Sequence, residues 1–390
     1  MPNAAGGGAP ARHGSGVGVT SVPNVEAAPS GWACVRVGDV ATFASGQGIR
    51  VSALRPRSSR HPVPVYGGNG IAGYTDRALV DTPCAVVGRV GQKCGAVYLT
   101  DGPAWITDNA LYPTRVARGT DPAFLALALR VAGLNDARNR NDLPLITQSI
   151  LHATAIALPK SVAEQRAITA AVRDVEGAET ALAQLVAKTR DVKQATMQRL
   201  LTGEQRLAGY SGVWPCAELG TVVEVRKGQL ITERQVIRGP VPVIAGGRTP
   251  AYFHAAANRP AGTITISASG ASAGYVAFHP EPIFASDCST ISIGRGYDVR
   301  FVYYQLRFKQ ETIFGSQTGG AQPHVQPADL APLDMPWPDV SEQRAIAAVL
   351  ADMDAELDAL ERRLTKTRAL KQAMMQELLT GRTRLPTADA

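Results

Sequence analysis

Apolar residues recur at alternating intervals of four and three near the end of the chain: Ile346, Leu350, Met353, Leu357, Leu360, Leu364, Thr367, Lys371, Met374 and Leu378. This spacing draws one narrow stripe along an α-helix, the a/d seam of a coiled coil, with a polar interruption at Lys371. The same frame occurs upstream as Ile168, Val172, Val175, Glu179, Leu182, Val186, Thr189, Lys193, Thr196 and Leu200, weakened by Glu179 and Thr196 on the seam. The repeat is one of sequence and not only of period. Residues 164–207 and 342–385 align without a gap at a constant offset (342 − 164 = 178 and 385 − 207 = 178), and 23 of the 44 aligned positions are identical. Both copies carry end signals. Ser161-x-x-Glu164 and Asp339-x-x-Glu342 read as capping boxes, Pro159 and Pro338 precede them, and Gly203 and Gly381 stand where a C′ glycine would. Each predicted helix is ~40 residues and ~60 Å long at the usual rise per residue. A long helix with so narrow an apolar stripe needs a partner, and the other copy offers a seam of the same spacing.

Outside these stretches the period changes. Residues 31–158 and 213–337 carry short Val/Ile/Thr/Tyr runs broken by Gly and Pro, such as Ala85-Val86-Val87 and Thr263-Ile264-Thr265-Ile266, which read as strands and tight turns. Short helices are expected near 122–133 and 299–308. The two segments are distant copies. Trp32, Cys34 and Gly38 match Trp214, Cys216 and Gly220; Gly46-Gln47 matches Gly228-Gln229; Val63-Pro64-Val65 matches Val241-Pro242-Val243; Gly67-Gly68 matches Gly246-Gly247. Gly91 and Gly95 match Gly270 and Gly274, Asp108 matches Asp287, and Pro144 matches Pro323. The expected class is mixed α/β (α+β). The expected organisation is a disordered lead-in (1–30), a first globular domain (31–158), a central helical region (159–207), a second globular domain (213–337) and a distal helical region (338–385).

Charge and composition narrow the chemistry only modestly. Forty basic against 33 acidic residues give +7, which suits a nucleic-acid partner without requiring one. The five cysteines, at 34, 84, 94, 216 and 288, form no CxxC pair and read as reduced thiols of a cytosolic protein. No run of ~18 apolar residues suggests a membrane span. There is no GxxxxGK[ST] loop, no Asp/Asn-Pro-Pro-aromatic motif and no nucleotide-binding glycine fingerprint, so neither an ATP-driven motor nor methyl transfer is expected of this chain alone. The six histidines are scattered, with no metal-ligand pairing.

With its EQRAI-type starts at 164–168 and 342–346 and its LLTG-type ends at 200–203 and 378–381, alternating with two divergent globular segments, the chain resembles the specificity subunit of Type I restriction–modification systems. The resemblance covers nearly everything after about residue 31. It implies two target recognition domains separated by two long antiparallel coiled-coil helices, arranged with pseudo-twofold symmetry. Each domain would read half of a bipartite site on double-stranded DNA. Half-sites facing such a pair would lie about one turn, ~34 Å, apart. Two adenine-specific methyltransferase subunits would dock on the helices and an endonuclease/translocase subunit would join them. S-adenosylmethionine, ATP and Mg2+ would serve those partners, with no cofactor in this chain, which would be non-catalytic by itself and cytoplasmic. Two other readings stay open: a binding protein on the same frame in an orphan or different defence system, and a nuclease in its own right, for which no carboxylate cluster speaks.

Base reading needs donors and acceptors in the major groove, with basic residues on phosphates. Polar and basic residues in glycine-rich loops are therefore the candidate DNA contacts: Asn69, Arg89, Gln92 and Lys93 in the first domain, and Arg226, Lys227, Arg248, Ser269, Ser272, Gln322 and His324 in the second. Glu164, Gln165 and Arg166, with Glu342, Gln343 and Arg344, are candidate contacts for a methyltransferase subunit, although capping and first-turn dipole effects already account for Glu164. Lys193 and Lys371 either snorkel from the seam or form a register-setting polar layer. Trp32 and Trp214 read as core packing at each domain start.

Overall fold

The structure, a computed structural model, describes residues 28–91, 93–137, 144–294, 296–320 and 322–386. Among the described residues, four helices have ten residues or more: α1 (Pro122–Val131), α2 (Val162–Thr202), α3 (Val299–Phe308) and α4 (Val340–Leu378). Two compact units divide the chain, residues 1–180 with 365–390 and residues 181–364. Each therefore holds one globular segment and part of both long helices, so the boundary crosses the helices instead of falling between linear segments.

In the first unit, β1 (Trp32–Arg36) pairs antiparallel with β9 (Ala155–Pro159), tying the start of the globular segment to its end. β2 (Ala41–Ser45), β5 (Ala85–Gly88), β6 (Val97–Leu99) and β8 (Ala110–Val116) form an antiparallel sheet of order β2-β8-β5-β6. A second sheet of order β4-β3-β7 joins β3 (Val63–Gly67), β4 (Gly70–Thr75) and β7 (Trp105–Ile106), with β3 and β7 parallel. Its main core gathers Phe43, Leu111, Phe124, Leu125, Ile146 and Ile156 with Ile168 and Val172 of α2 and Leu378 of α4.

The second unit repeats this plan. β10 (Cys216–Glu218) pairs antiparallel with β18 (Asp334–Pro336). β11 (Val223–Lys227), β14 (Thr263–Ser267), β15 (Val276–His279) and β17 (Cys288–Ile293) form an antiparallel sheet of order β11-β17-β14-β15. β12 (Val241–Ile244), β13 (Tyr252–His254) and β16 (Phe284–Ala285) form a sheet of order β13-β12-β16, again with one parallel pair, β12 and β16. Every strand of the first unit thus has a counterpart of the same order and sense in the second, which extends the kinship well past the landmarks legible in sequence. The caps repeat too. Asp121 accepts from the backbone N–H groups of Ala123 and Phe124 at the start of α1, and Asp298 from those of Arg300 and Phe301 at the start of α3.

Within each unit the long helices run antiparallel. In the second, Arg190 meets Glu361 and Lys193 meets Asp354; in the first, Glu179 meets Arg368 and Lys371. Every residue of both 4-3 seams is buried or half-buried, whereas Leu185, Val192 and Leu370, apolar but off the seam, are 44%, 48% and 54% exposed. Leu182, Val186 and Leu364 pack together as a small seam core, each buried aliphatic side chain contributing about 1.5–3 kcal/mol. The interruptions of the two seams compensate each other. Glu179 accepts from Lys371 Nζ at 2.6 Å, and Lys193 is paired with Asp354, which also accepts from Tyr304 Oη at 2.7 Å. The lysines therefore make charged layers across the helix pair; of the two readings, the polar layer is the one realised.

Gly203 and Gly381 end the helices with φ +75° and +70°, the left-handed conformation of a C′ residue. The capping boxes are half realised. Ser161 Oγ accepts from the Glu164 N–H and Asp339 Oδ1 from the Ser341 N–H, while the carboxylates of Glu164 and Glu342 are directed elsewhere.

Candidate nucleic-acid interface

The doubled Glu-Gln-Arg segments lie at two internal junctions. Glu164 is 3% exposed and Glu342 1%. In the first unit Glu164 accepts from Trp32 Nε1 at 3.2 Å and from both arms of the Arg384 guanidinium, Nη2 at 2.8 Å. In the second, Glu342 accepts from Trp214 Nε1 at 3.0 Å and from Arg206 Nε and Nη2 at 2.6 Å each. The glutamines are equally occupied. Gln165 accepts from the Asp121 N–H and donates to the carbonyls of Gly119 and Pro159; Gln343 accepts from the Asp298 N–H and donates to the carbonyl of Pro338. Each pair thus fastens the start of a long helix to the globular segment that packs on it. This corrects the expectation of partner contacts at Glu164, Gln165, Glu342 and Gln343, whose polar atoms are buried and used inside the fold. Arg166, 3.6 Å from Asp121, and Arg344 remain exposed.

In the first unit the glycine-rich turns converge. Asn69 sits exposed at the turn between β3 and β4. A Cβ on its neighbour Gly68 would lie 2.9 Å from the Val90 carbonyl and 3.1 Å from that of Asn109, so the β3–β4 turn packs on the segment after β5 and on the start of β8. Lys93 is exposed beside it. Arg89 is half-buried instead of free: Nη1 donates to Ser45 Oγ at 3.0 Å, and Nε is buried without a partner. Gln92 lies outside the described residues.

In the second unit a cleft of about 250 Å³ is lined by Lys227, Leu230, Asp287, Ser289, His324 and Gln326 among others. Ser269 Oγ donates to Asp287 at its edge. His324 is held there by paired backbone bonds with Thr318, and Val325 N–H donates to the Ala268 carbonyl. Ser289 is 1% exposed and its Oγ has no partner, a buried polar group that a bound donor or acceptor would satisfy. Cys288 also lines the cleft; burial pushes its thiol up to about 12, so it is no nucleophile at neutral pH. Arg248 lines a separate cleft of about 130 Å³ with Tyr275 and His279, its guanidinium 5.1 Å from the Tyr275 ring centre. The Gly246 turn contributes to both surroundings, since Ser267 Oγ donates to its carbonyl and a Cβ there would lie 3.4 Å from Asp287 Oδ2. Ser272 is half-buried and Gln322 exposed. Arg226 is already paired with Glu224 at 2.6 Å on β11.

The structure therefore gathers Lys227, Ser269 and His324 around Asp287, and Asn69 and Lys93 around the counterpart turns. It leaves Arg226 and Arg248 apart. Two groups were missed in the sequence. Ser289 hides inside a strand, Cys288–Ile293, where polar and apolar residues are buried together. The exposed arginines 50, 55, 57 and 60 form a run with no acid that was open to inspection. Among the described residues, no group of three or more His, Cys, Asp or Glu side chains could hold a metal ion, and no helix is long and apolar enough to cross a membrane.

Two strand-rich segments of one topology, each anchored to a shared pair of antiparallel helices, define the fold class of the S subunits. A type I restriction–modification S subunit from M. genitalium superposes with a TM-score of 0.72 at 18% identity, covering 89% of this chain and 96% of that one. A chain from a type I R-M system solved to explain complex assembly and conformational transition gives 0.51 at 17%, covering 90% and 98%. At such identities the likeness is one of fold. In sequence, residues 213–368 match the family described as Type I restriction modification DNA specificity domain. S.MpnORF638P of Mycoplasma pneumoniae, named as a type I specificity subunit, is 27% identical over 179 residues, 43% of this chain and 46% of its own length. The specificity subunit of the type I restriction enzyme MjaVIII of Methanocaldococcus jannaschii is 26% identical over 83 residues, 21% and 20% of the two chains. The chain thus aligns with less than half the length of these curated relatives. Residues 213–368 thus match the Type I restriction modification DNA specificity domain, the family that the repeated motifs resemble.

Proposed function

We propose that this chain is the DNA-specificity subunit of a Type I restriction–modification complex. Each globular segment reads one half of a bipartite site, and the paired helices set the spacing and dock two methyltransferase subunits, to which an endonuclease/translocase subunit is added. The chain supplies the address; S-adenosylmethionine, ATP and Mg2+ are used by its partners, and the assembly works on cytoplasmic DNA. The observation that carries this reading is the contrast between a repeated frame and unrepeated loops. Helices, junctions and strand order are duplicated, while the loop side chains around Asn69 and Lys93 differ from those around Ser269 and His324. Duplicated backbone with different groove-facing chemistry is what two half-sites of different sequence require. Arg166 and Arg344, exposed at equivalent helix starts, are the members of the repeated motif left available to a partner subunit. The test is adenine methylation across the host genome with and without the gene, partners expressed. A split motif should lose its methylation when the gene is absent; unchanged methylation at every split motif would sink the reading.

A further inference from the structure

The connection between β2 and β3 carries Arg50, Arg55, Arg57 and Arg60, all exposed, and no acid, for a charge of +4 over residues 46–62. Among the described residues, no carboxylate is in ion-pair reach of any of the four. The equivalent connection between β11 and β12, residues 228–240, has Arg234 and Arg238 against Glu233, a charge of 2 − 1 = +1. The arginine loop is also built, not slack. Val51–Ala53 is a 3₁₀ turn, Arg55 and the β4 residue Tyr74 exchange backbone bonds of 3.0 and 2.9 Å, and Ser58 and His61 bond to each other. Arg55 Nη1 donates to the carbonyls of Ser52 and Leu54, which leaves Arg50, Arg57 and Arg60 as the uncommitted cations.

Its root lies against the candidate interface. A Cβ at Gly46 would collide with the Ile106 carbonyl and one at Gly48 would lie 3.6 Å from Asp108 Oδ2; Trp105 Nε1 donates to the Gln47 carbonyl at 2.9 Å, and Ser45 holds Arg89. The equivalent connection in the second unit supplies Leu230 to the wall of its cleft. Unpaired like charges held close together repel each other, so such a loop is favoured when a polyanion neutralises it. A fixed backbone also lowers the ordering cost of gripping one.

Resting on the DNA-binding reading above, we infer that the β2–β3 loop is a phosphate-gripping arm, and that the first globular segment supplies most of the sequence-independent hold on duplex DNA. The arm contacts phosphates and carries no sequence information, so its loss weakens every duplex alike. The experiment compares the full chain with the Arg50→Gln/Arg57→Gln/Arg60→Gln variant, titrating a labelled mixed-sequence duplex at several salt concentrations. All three side chains are exposed, and an unchanged thermal unfolding curve establishes that the variant folds. Losing three phosphate contacts should flatten the slope of log K against log salt by about 2.7, so that between 50 and 200 mM salt the wild type loses about 40-fold more affinity than the variant. Arg234→Gln/Arg238→Gln should change the slope less. If the wild type binds DNA and the triple variant keeps its slope, the arm is wrong while the function stands; that outcome includes a loop that grips an acidic protein surface instead. If the wild type binds no DNA, alone or assembled with methyltransferase subunits, both fall together.

Discussion

Burying a carboxylate to 97% or more is costly unless its oxygens are met by donors, and at Glu164 and Glu342 a tryptophan and an arginine each meet them. The indole N–H closes one side and the guanidinium, from residue 384 or 206, the other. The same indole rings pack on the C′ glycines: a Cβ at Gly203 would lie 3.2 Å from Trp214, and one at Gly381 3.0 Å from Trp32. Each tryptophan is therefore both a lid on a helix end and a donor to a helix start. Trp32→Phe should keep the packing and lose the donor, costing about 1.5–3 kcal/mol, the range for a hydrogen bond to a charged group; denaturant unfolding measures it. A change within about 0.5 kcal/mol, the range of a neutral surface substitution, would mean that Arg384 alone satisfies Glu164. The repeat displayed both glutamates and both arginines, since Arg206 and Arg384 also align at the 178-residue offset. Their meeting was hidden because it joins residues 220 and 136 positions apart, and no local pattern encodes such a contact. The glutamates therefore read as cap residues or partner contacts.

At the scale of the helix, the seam was legible because a 3.5-residue period survives any local noise. What looked like a defect in it, Glu179, was legible only as a defect. Its meaning depends on antiparallel register, which places it against Lys371 and Arg368. The hydrogen bonds from Lys371 and then Arg368 hold the Glu179 carboxyl below the usual range for glutamate. A carboxyl whose folded pKa is depressed stabilises the fold fully above its unfolded value, ~4.3, and loses that contribution as pH falls through the lower folded value. Glu179→Gln should therefore melt below the wild type at neutral pH, and the gap should shrink as the pH drops below about 4. A gap independent of pH would place the effect in packing instead of charge. The pair is half exposed on the arginine side, with Arg368 58% accessible, so the gap should also narrow with added salt.

Across the whole molecule the two globular segments share strand order, caps and junctions but not the side chains of their glycine-rich loops. That divergence is why the candidate site was the least legible part. Glycine and proline landmarks report turns, which both segments need, whereas a polar side chain lining a cleft is free to be of any type, and a buried one such as Ser289 carries no outward mark. Because the main core cluster of each unit is drawn from its own residues, a change in one cleft should not travel to the other unit. Asp287→Asn replaces an acceptor-only group by one that also donates, beside Ser269 and in the cleft with the unpartnered Ser289. Within the proposed function, this substitution should relax or alter one half of the methylated split motif and leave the other half and the spacer unchanged, as read by genome-wide mapping of adenine methylation. Discrimination lost at one base pair is expected to be on the order of 1–3 kcal/mol, or roughly fivefold to 150-fold in site preference. Equal loss at both halves would mean that Asp287 supports the fold or the assembly and reads nothing.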